Sequence, residues 1–171
     1  MNIQDVVNKA LTVERESRTI EFKESFDVNS PRDWCEIIKD IIAISNTDGG
    51  VILIGVDNRG RPIRGSLRSI LAIDHADLIN KIHKYTNVHL SDIEITEEKK
   101  NGRKVAAFRI GQSQSLIVFS KPGTYDIGGG KQGRAFSEGS VYFRHGAKSE
   151  PGTTEDLRKA IDNGFHQYER N

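Results

Sequence analysis

Residues 16–57 read ESRTIEFKESFDVNSPRDWCEIIKDIIAISNTDGGVILIGVD and decide the fold. β-Branched and aromatic residues over 19–23 favour a strand. The run SPRD at 30–33 begins a helix, with serine as the cap, proline at the first helical position and an acid at the third. Isoleucines at helical spacing continue this helix to about Asn46, and the apolar run 51–56 lacks the polar alternation of a half-exposed strand. Strand, helix and buried strand together predict a βαβ unit.

The flanking sequence predicts further helices and strands around this unit. Apolar residues at helical spacing follow a capping Asn2 and predict a first helix near the N-terminus. Asn101-Gly102 is a two-residue turn that predicts a β-hairpin. The remaining expected elements are a helix over 74–85, strands at 93–95, 105–110, 116–119 and 141–144, and a helix capped by 153–156 that runs towards 171. We therefore expect one compact α/β domain over 1–171, of the α+β kind, with a mixed β-sheet flanked by helices.

Composition narrows the class of protein. The hydrophobic fraction is 36% and the charged fraction 29%, and no apolar run is long enough to suggest a membrane span. The first ten residues do not resemble a signal peptide, so we expect a soluble, cytoplasmic protein without a membrane partner. The single cysteine, Cys35, lies among isoleucines and is expected in the core. The five histidines show no close metal-binding spacing.

The charge is unevenly distributed along the chain. The formal net charge is +1, but the segment 99–148 contains ten Lys or Arg against two acids. This distribution indicates an anionic partner, although cations that solvate a sheet face would produce the same count. The candidate nucleic-acid-binding residues are Arg59, Arg61, Arg64, Lys131, Arg134, Arg144 and Lys148.

Three acids and a lysine lie around the two predicted strands. Side chains two apart on a strand share a face, so Glu21 and Lys23 should point the same way. Asp57 follows the buried strand, at the end where sites of open α/β sheets collect. Glu16 has the opposite parity to Glu21, so it can join the others only if it lies before the strand.

Two interpretations of these residues stay open on spacing alone. Three carboxylates without histidine or cysteine suit Mg²⁺ or Mn²⁺, and Glu16, Glu21 and Asp57 would then hold a metal that acts on a phosphodiester, with Lys23 stabilising developing charge. Alternatively, Glu21 and Lys23 form an ion pair on one strand face, and Asp57 starts a turn.

A glycine-rich run lies at 128–133 and fits G-x-G-x-x-G. A phosphate-binding P-loop would need Ser or Thr at 132 and Gly at 125, where the chain has Gln and Tyr, and no clear helix follows. We expect a mobile loop here, with Lys131 and Arg134 available to contact phosphates.

Several motifs, in order, resemble the Schlafen AlbA-type domain. They are E-S-x-x-x-E-F-K at 16–23, A-x-x-N-T-x-G-G-x-x-x-I-G-V-D at 43–57, a following Gly65, and V-Y-x-R-x-G at 141–146. The resemblance covers roughly 14–148. In Schlafen proteins that cleave RNA, the two glutamates and the aspartate of these motifs form a metal-dependent active site, and they match Glu16, Glu21 and Asp57. The resemblance thus implies a nucleic-acid-binding domain with endoribonuclease activity, Mg²⁺ or Mn²⁺ as cofactor, and RNA favoured over DNA.

The chain departs from the eukaryotic members of that family. Their core joins two related lobes and holds zinc, whereas this chain has one unit and one cysteine, so we expect no structural zinc and a homodimer would supply the second lobe. Many prokaryotic relatives are described as DNA-binding regulators or ATP-binding proteins. A non-catalytic DNA- or RNA-binding module and an ATP-binding regulator therefore stay open as alternatives.

Overall fold

A computed structural model describes the backbone of residues 2–168 and the side chains of residues 2–164. The helices are α1 (Ile3–Ala10), α2 (Pro31–Ser45), α3 (Arg68–Leu71), α4 (His75–Thr86) and α5 (Thr154–Tyr168). The strands are β1 (Ile20–Lys23), β2 (Gly50–Ile54), β3 (Ile93–Lys100), β4 (Arg103–Ile110), β5 (Gly123–Gly128), β6 (Lys131–Phe136), β7 (Tyr142–His145) and β8 (Lys148–Pro151). Across the described range, none of these helices has the length and apolar character needed to cross a membrane.

The main sheet has four strands in the order β1-β2-β4-β3. Strands β1 and β2 are parallel and are joined through α2, while β2–β4 and β4–β3 are antiparallel. The predicted βαβ unit and mixed sheet are therefore confirmed. Asn101 and Gly102 have φ of 49° and 76°, the left-handed pair that a type I′ hairpin turn requires, so the predicted β3–β4 hairpin is also confirmed.

The sheet buries both of its faces. Helix α1 packs on one face against side chains that alternate along the strands, including Ile20, Phe22 and Leu53. Helices α2, α3 and α4 pack on the other face, against Ile52 and Phe108 among others. Because strand side chains alternate in direction, residues 21 and 23 of β1 must point towards the α2 side.

Two sequence predictions about strands are wrong. Residues 116–119 form no strand, because their backbone groups bond to a side chain and a turn. Ile117 N–H donates to Asn46 Oδ1 (2.8 Å), Asn46 Nδ2 donates to Ile117 O (3.0 Å), and Phe119 N–H donates to Ser140 O (3.0 Å). The glycine-rich run at 128–133 is not a loop but part of the β5–β6 hairpin: it covers the last residue of β5, the turn and the first residues of β6. Gly128 to Gly130 have positive φ. Glycine supplies that backbone conformation without steric cost.

The C-terminal part of the described chain packs on α2 through the ribbons β5–β6 and β7–β8. Helix α5 begins as predicted, since Thr153 N–H donates to Asp156 Oδ2 (2.7 Å) and Asp156 N–H donates to Thr153 Oγ1 (3.2 Å). The two ring nitrogens of His145 contact Glu150 and Asp156. The hydrogen bond with Asp156 is the larger cause and that with Glu150 the smaller cause that raise the pKa of His145. The predicted end of the helix, 169–171, lies outside the described residues.

Lys100 is a buried cation that donates hydrogen bonds at the C-terminal end of α1. Its side chain is 1% exposed, and its ammonium donates to Ala10 O (2.8 Å) and Val13 O (2.7 Å). Carbonyls at the C-terminal end of a helix have no partner within the helix, and a cation is favoured there by the helix dipole. Lys100 thereby joins the end of β3 to α1 across the sheet.

We expect Lys100→Ala to destabilise the fold by about 3 kcal/mol, since it removes a buried charged donor and leaves two carbonyls unsatisfied. Urea unfolding followed by circular dichroism measures this change. Lys99→Ala, at the neighbouring exposed position, is the control and should change the free energy of unfolding by less than about 0.5 kcal/mol. Equal effects of the two substitutions would contradict the role of Lys100.

Candidate functional site

Glu21 and Lys23 lie together on the α2 side of β1. Lys23 Nζ is 3.6 Å from Glu21 Oε1 and 2.7 Å from Asp40 Oδ2 on α2. The prediction that the two strand residues share a face is therefore confirmed. Asp40 is 6% exposed and lies among the isoleucines of α2, so the lysine pairs with a carboxylate that the motif did not indicate.

Arg144, on β7, completes this cluster from the other side. Its Nη1 lies 2.7 Å from Glu21 Oε2 and 3.1 Å from Ser149 Oγ, and its Nη2 donates to Ser17 O at 3.0 Å. The side chain is 1% exposed. Glu21 Oε2 has no aligned hydrogen-bond partner among the described residues, so its contact with Arg144 Nη1 is an ion pair of close charges rather than a well-directed hydrogen bond. The Nε of Arg144 also has no hydrogen-bond partner among those residues. We call Glu21, Lys23, Asp40 and Arg144 the buried charge cluster.

The buried charge cluster perturbs the proton affinities of its members. The pKa of Glu21 is raised to about 7. Burial is the largest cause and the negative charge of Asp40 the second, while Arg144 and Lys23 oppose the rise. Burial lowers the pKa of Lys23, but Asp40 and Glu21 offset this effect and the net shift is upward. The cluster thus keeps its lysine charged and brings the glutamate into the physiological titration range.

Glu16 lies before β1, where the parity of the strand required it to be. Ser17 and Ile20 form a tight antiparallel bridge that turns the chain back, and Glu16 Oε1 accepts a hydrogen bond from Phe22 N–H at 2.8 Å. Since β1 is an edge strand, this carboxylate satisfies a donor on the open edge of the sheet. Its negative charge also contributes to the raised pKa of Glu21.

Asp57 is held in the turn that follows β2. Its Oδ1 accepts from the backbone N–H of Arg59 and Arg61, both at 2.9 Å, and its Oδ2 pairs with the Arg61 guanidinium at 2.8 Å. The Arg61 backbone hydrogen bond is the main cause that holds the pKa of Asp57 below its usual value. Asp57 and the Glu21–Lys23 pair thus have the contacts of the second interpretation of the sequence, a turn and a strand ion pair.

The residues predicted to hold Mg²⁺ or Mn²⁺ do not form a metal site in this arrangement. Glu16 binds a strand N–H, Glu21 faces Arg144 and Lys23, and Asp57 faces Arg61. Over the described part of the chain, no group of three or more His, Cys, Asp or Glu side chains is placed to hold a metal ion. Carboxylates that already neutralise cations are poor ligands for a hard divalent ion unless those cations move away.

The predicted nucleic-acid-binding residues fall in three places. Arg59, Arg61 and Arg64 are in the loop after β2, Lys131 and Arg134 are on β6, and Lys148 is on β8; all six are exposed. Arg144 is the exception, because its burial and its ion pair with Glu21 keep it away from any polymer on the surface. Arg61 is engaged by Asp57.

A groove opens beside the first of these places. Ile54 pairs with Ala106, so the loop that leaves β2 runs beside the tip of the β3–β4 hairpin. Between this loop, α3 and the hairpin lies a cleft of about 810 Å³, which we call the basic groove. Its lining residues are Ile63, Arg64, Gly65, Leu67, Arg68, Leu71, Ala72, Glu97, Arg103 and Lys104.

The cations of the basic groove differ from those of the buried charge cluster. The guanidinium groups of Arg64, Arg68 and Arg103 have neither a hydrogen bond nor an ion pair with any described residue. Lys104 pairs with Glu97 at 3.0 Å, but both side chains are well exposed and such a pair is weak. Sequence reasoning missed Arg68, Arg103 and Lys104 as members of one site because 35 positions separate Arg68 from Arg103, and long-range contacts, the β2–β4 pairing and the packing of α3 on β3, bring them together.

The titration of Glu21 tests the buried charge cluster. The glutamate should titrate near pH 7 instead of its ordinary 4.5, so the folded state holds a proton that the unfolded state has lost between these values. The resulting stability is present below pH 4.5 and is lost as the pH rises through about 7. Carboxyl ¹³C NMR of Glu21 gives the midpoint, and Glu21→Gln should reduce the fall in unfolding free energy between about pH 5 and pH 8.

Glu138→Gln, at an exposed position, is the control for this comparison and should leave the pH dependence unchanged. A carboxyl midpoint near 4.5, together with the same pH dependence in wild type and Glu21→Gln, would contradict the raised pKa of Glu21.

No curated protein sequence matches the chain. Among solved structures, the DIP2311 protein of Corynebacterium diphtheriae is similar, with a TM-score of 0.59 and 13% identity over 94% of this chain; the match spans 33% of that protein's length. The N-terminal domain of a RecG-related protein from Nitrosomonas europaea aligns over 81% of this chain and 88% of its own, with 21% identity and a TM-score of 0.43.

At 13% identity, the first of these similarities shows a shared fold alone. The family model described as Schlafen, AlbA_2 matches residues 16–153, most of the chain and all of the elements from β1 to β8. The resemblance seen in the motifs is therefore confirmed. The chain belongs to the Schlafen, AlbA_2 family, which makes it a nucleic-acid-related domain.

Proposed function

We propose that this domain binds nucleic acid through the basic groove and the loop beside it. The observation that carries the proposal is the set of three arginines at the groove, Arg64, Arg68 and Arg103, whose guanidinium groups lack a described partner. A guanidinium is a planar fork of donors that matches a phosphate, and an unpaired one loses no internal ion pair on binding. Membership of a nucleic-acid-related family supports the same assignment.

The local character of this charge matters more than the net charge of the chain. The formal net charge is only +1, so long-range attraction of a polyanion by the whole domain is weak. Two acids near the proposed interface already face a cation, Asp57 with Arg61 and Glu97 with Lys104. Phosphates that approach the groove therefore meet free arginines rather than repelling carboxylates.

Binding through these cations should depend steeply on salt. Contacts from four groove cations predict a slope of log K against log salt of about −3, from about −0.7 to −0.9 per phosphate contact. Fluorescence polarisation of labelled oligonucleotides, measured at several salt concentrations, gives this slope. In Arg64→Ala/Arg68→Ala the affinity should fall about tenfold or more and the slope should decrease in magnitude by about 1.5.

Lys9→Ala/Arg158→Ala is the matched control, because it removes the same charge from exposed positions on α1 and α5. It should leave the affinity within about twofold of wild type. An equal loss in both double variants, or no binding by the wild type to any oligonucleotide, would contradict the proposed function.

A second candidate, divalent-metal-dependent RNA cleavage, is favoured by a different observation. The buried charge cluster contains a glutamate with a pKa of about 7, beside a lysine that lines a smaller cavity of about 370 Å³ together with Ser25 and Arg32. Perturbed acids beside an accessible cation are common at catalytic sites. In the arrangement of the described residues, Glu16, Glu21 and Asp57 do not fit Mg²⁺ or Mn²⁺.

Incubation of labelled tRNA with the protein, with Mn²⁺ or with chelator, separates the two candidates. If the domain cleaves RNA, products appear only with the metal, and Glu21→Gln abolishes them while the oligonucleotide affinity is retained. Glu138→Gln should cleave like wild type. Binding without metal-dependent products under any divalent ion would reject the endoribonuclease and leave the binding module. RNA preference and a homodimer rest on the family resemblance, a cytoplasmic location rests on the composition and the first ten residues, and all three belong to this proposal.

A further inference from the structure

The basic groove combines two surfaces of different chemistry. Exposed cations line one part of it, which we call the rim, and Ile63, Leu67, Leu71 and Ala72 line another part with aliphatic groups, which we call the aliphatic floor. Ile63, Leu67 and Leu71 are half-buried and Ala72 is exposed, so these groups are accessible without being part of the sealed core. Phosphate binding alone needs only cations and backbone donors, whereas the aliphatic floor suits a ligand that also has an apolar part.

We propose that the groove takes a single-stranded polynucleotide, with phosphates on the arginines and an unstacked base or its sugar on the aliphatic floor. This inference rests on the proposed function and adds the class of nucleic acid. A duplex keeps its base faces stacked inside and presents phosphates and groove edges, so it would contact the rim and leave the floor uncovered. A single strand can turn a base outwards and bury its apolar face, as single-strand-binding proteins require.

The side chains around the floor set the expected selectivity. The residues that line the groove include no aromatic side chain, so base contact depends on aliphatic packing and on the guanidinium planes of Arg64, Arg68 and Arg103. An arginine plane stacks on any base. The groove should therefore prefer single strands over duplexes while discriminating weakly between base sequences.

Glu97 favours a polynucleotide over an acidic peptide as the occupant. Its carboxylate lines the groove beside Lys104, with its side chain 42% exposed. The side chains of an acidic peptide offer this carboxylate only further acceptors and no donor. A polynucleotide presents phosphate acceptors to the arginines and also amino or hydroxyl donors that a carboxylate can accept.

The test compares affinities of one sequence in four forms: single-stranded RNA, single-stranded DNA and the duplex of each, about 12 nucleotides long. Fluorescence polarisation should show single strands binding at least about tenfold tighter than duplexes, and the RNA and DNA arms identify which polymer is preferred. Arg64→Ala/Arg68→Ala should lower single-strand affinity about tenfold, with Lys9→Ala/Arg158→Ala as the control. Poly-glutamate of matched charge should compete at least about tenfold less well than the unlabelled single strand.

Ala72→Lys separates base contact from simple charge attraction. The new cation attracts both forms of nucleic acid, but its side chain occupies floor that only a single strand uses. The ratio of single-strand to duplex affinity should therefore fall several-fold. Ala72 is exposed at the end of α3, so the substitution does not disturb the core.

The outcomes distinguish the inference from the function on which it rests. No binding to any of the four forms would overturn both. Duplex affinity equal to single-strand affinity, or an unchanged ratio in Ala72→Lys, would overturn the single-strand inference and leave nucleic-acid binding in place. Displacement by poly-glutamate as effective as by the single strand would overturn it in favour of an acidic-peptide site.

Discussion

The burial of the Arg144 guanidinium against Glu21 and Ser17 is the constraint on which the rest of the structure depends. It joins β1, at the edge of the main sheet, to the β7–β8 ribbon, while Lys23 and Asp40 join the same strand to α2. Moving such charges out of water costs several kcal/mol for each ion, so they are tolerated in the interior only as pairs. The pairing gives the ribbon one position against the sheet, and that position also satisfies Ser17 O through Arg144.

Cations in this domain serve two separate purposes. Inside the fold, carboxylates pair with Lys23 and Arg144, and a carbonyl at the end of α1 accepts from Lys100. In the turn after β2, Asp57 pairs with Arg61. The basic excess of the sequence from 99 to 148 therefore overstates the charge available to a partner, since two of its ten cations, Lys100 and Arg144, are buried. What remains at the basic groove is less charge in total, but it is exposed and close to an apolar surface.

Strand periodicity predicted part of the site from sequence. The parity of residues 21 and 23 places both side chains on the α2 side, and the opposite parity of Glu16 required it to precede the strand, as it does. The βαβ unit followed from capping residues and isoleucine spacing, because local signals dominate there. The environment of Asp57 did not follow from strand periodicity. Its carboxylate accepts from backbone N–H groups two and four positions later in a turn, and the spacing between Glu21 and Asp57 does not indicate these contacts.

Long-range contacts account for the rest of what the sequence did not predict. The β5–β6 hairpin contains Gly123, Gly128 and Gly133, so its strands lack the alternation that marks a strand, and its pairing is stabilised by packing on α2. Residues 116–119 have strand-like composition, but the backbone of Ile117 bonds to the Asn46 amide and that of Phe119 bonds to Gly139 and Ser140 instead of a neighbouring strand. Asp40 could have been noticed as an acid within the buried stripe of α2, which signals a paired charge.

Chemical-shift mapping tests the central claim most directly. Backbone amide spectra of the ¹⁵N-labelled domain are recorded while a single-stranded oligonucleotide is added, and the perturbed residues are located on the fold. The account predicts that the largest shifts fall in 63–72 and 97–104, the two segments that line the basic groove. Shifts confined to the ribbons at 123–151, with none in those segments, would contradict it.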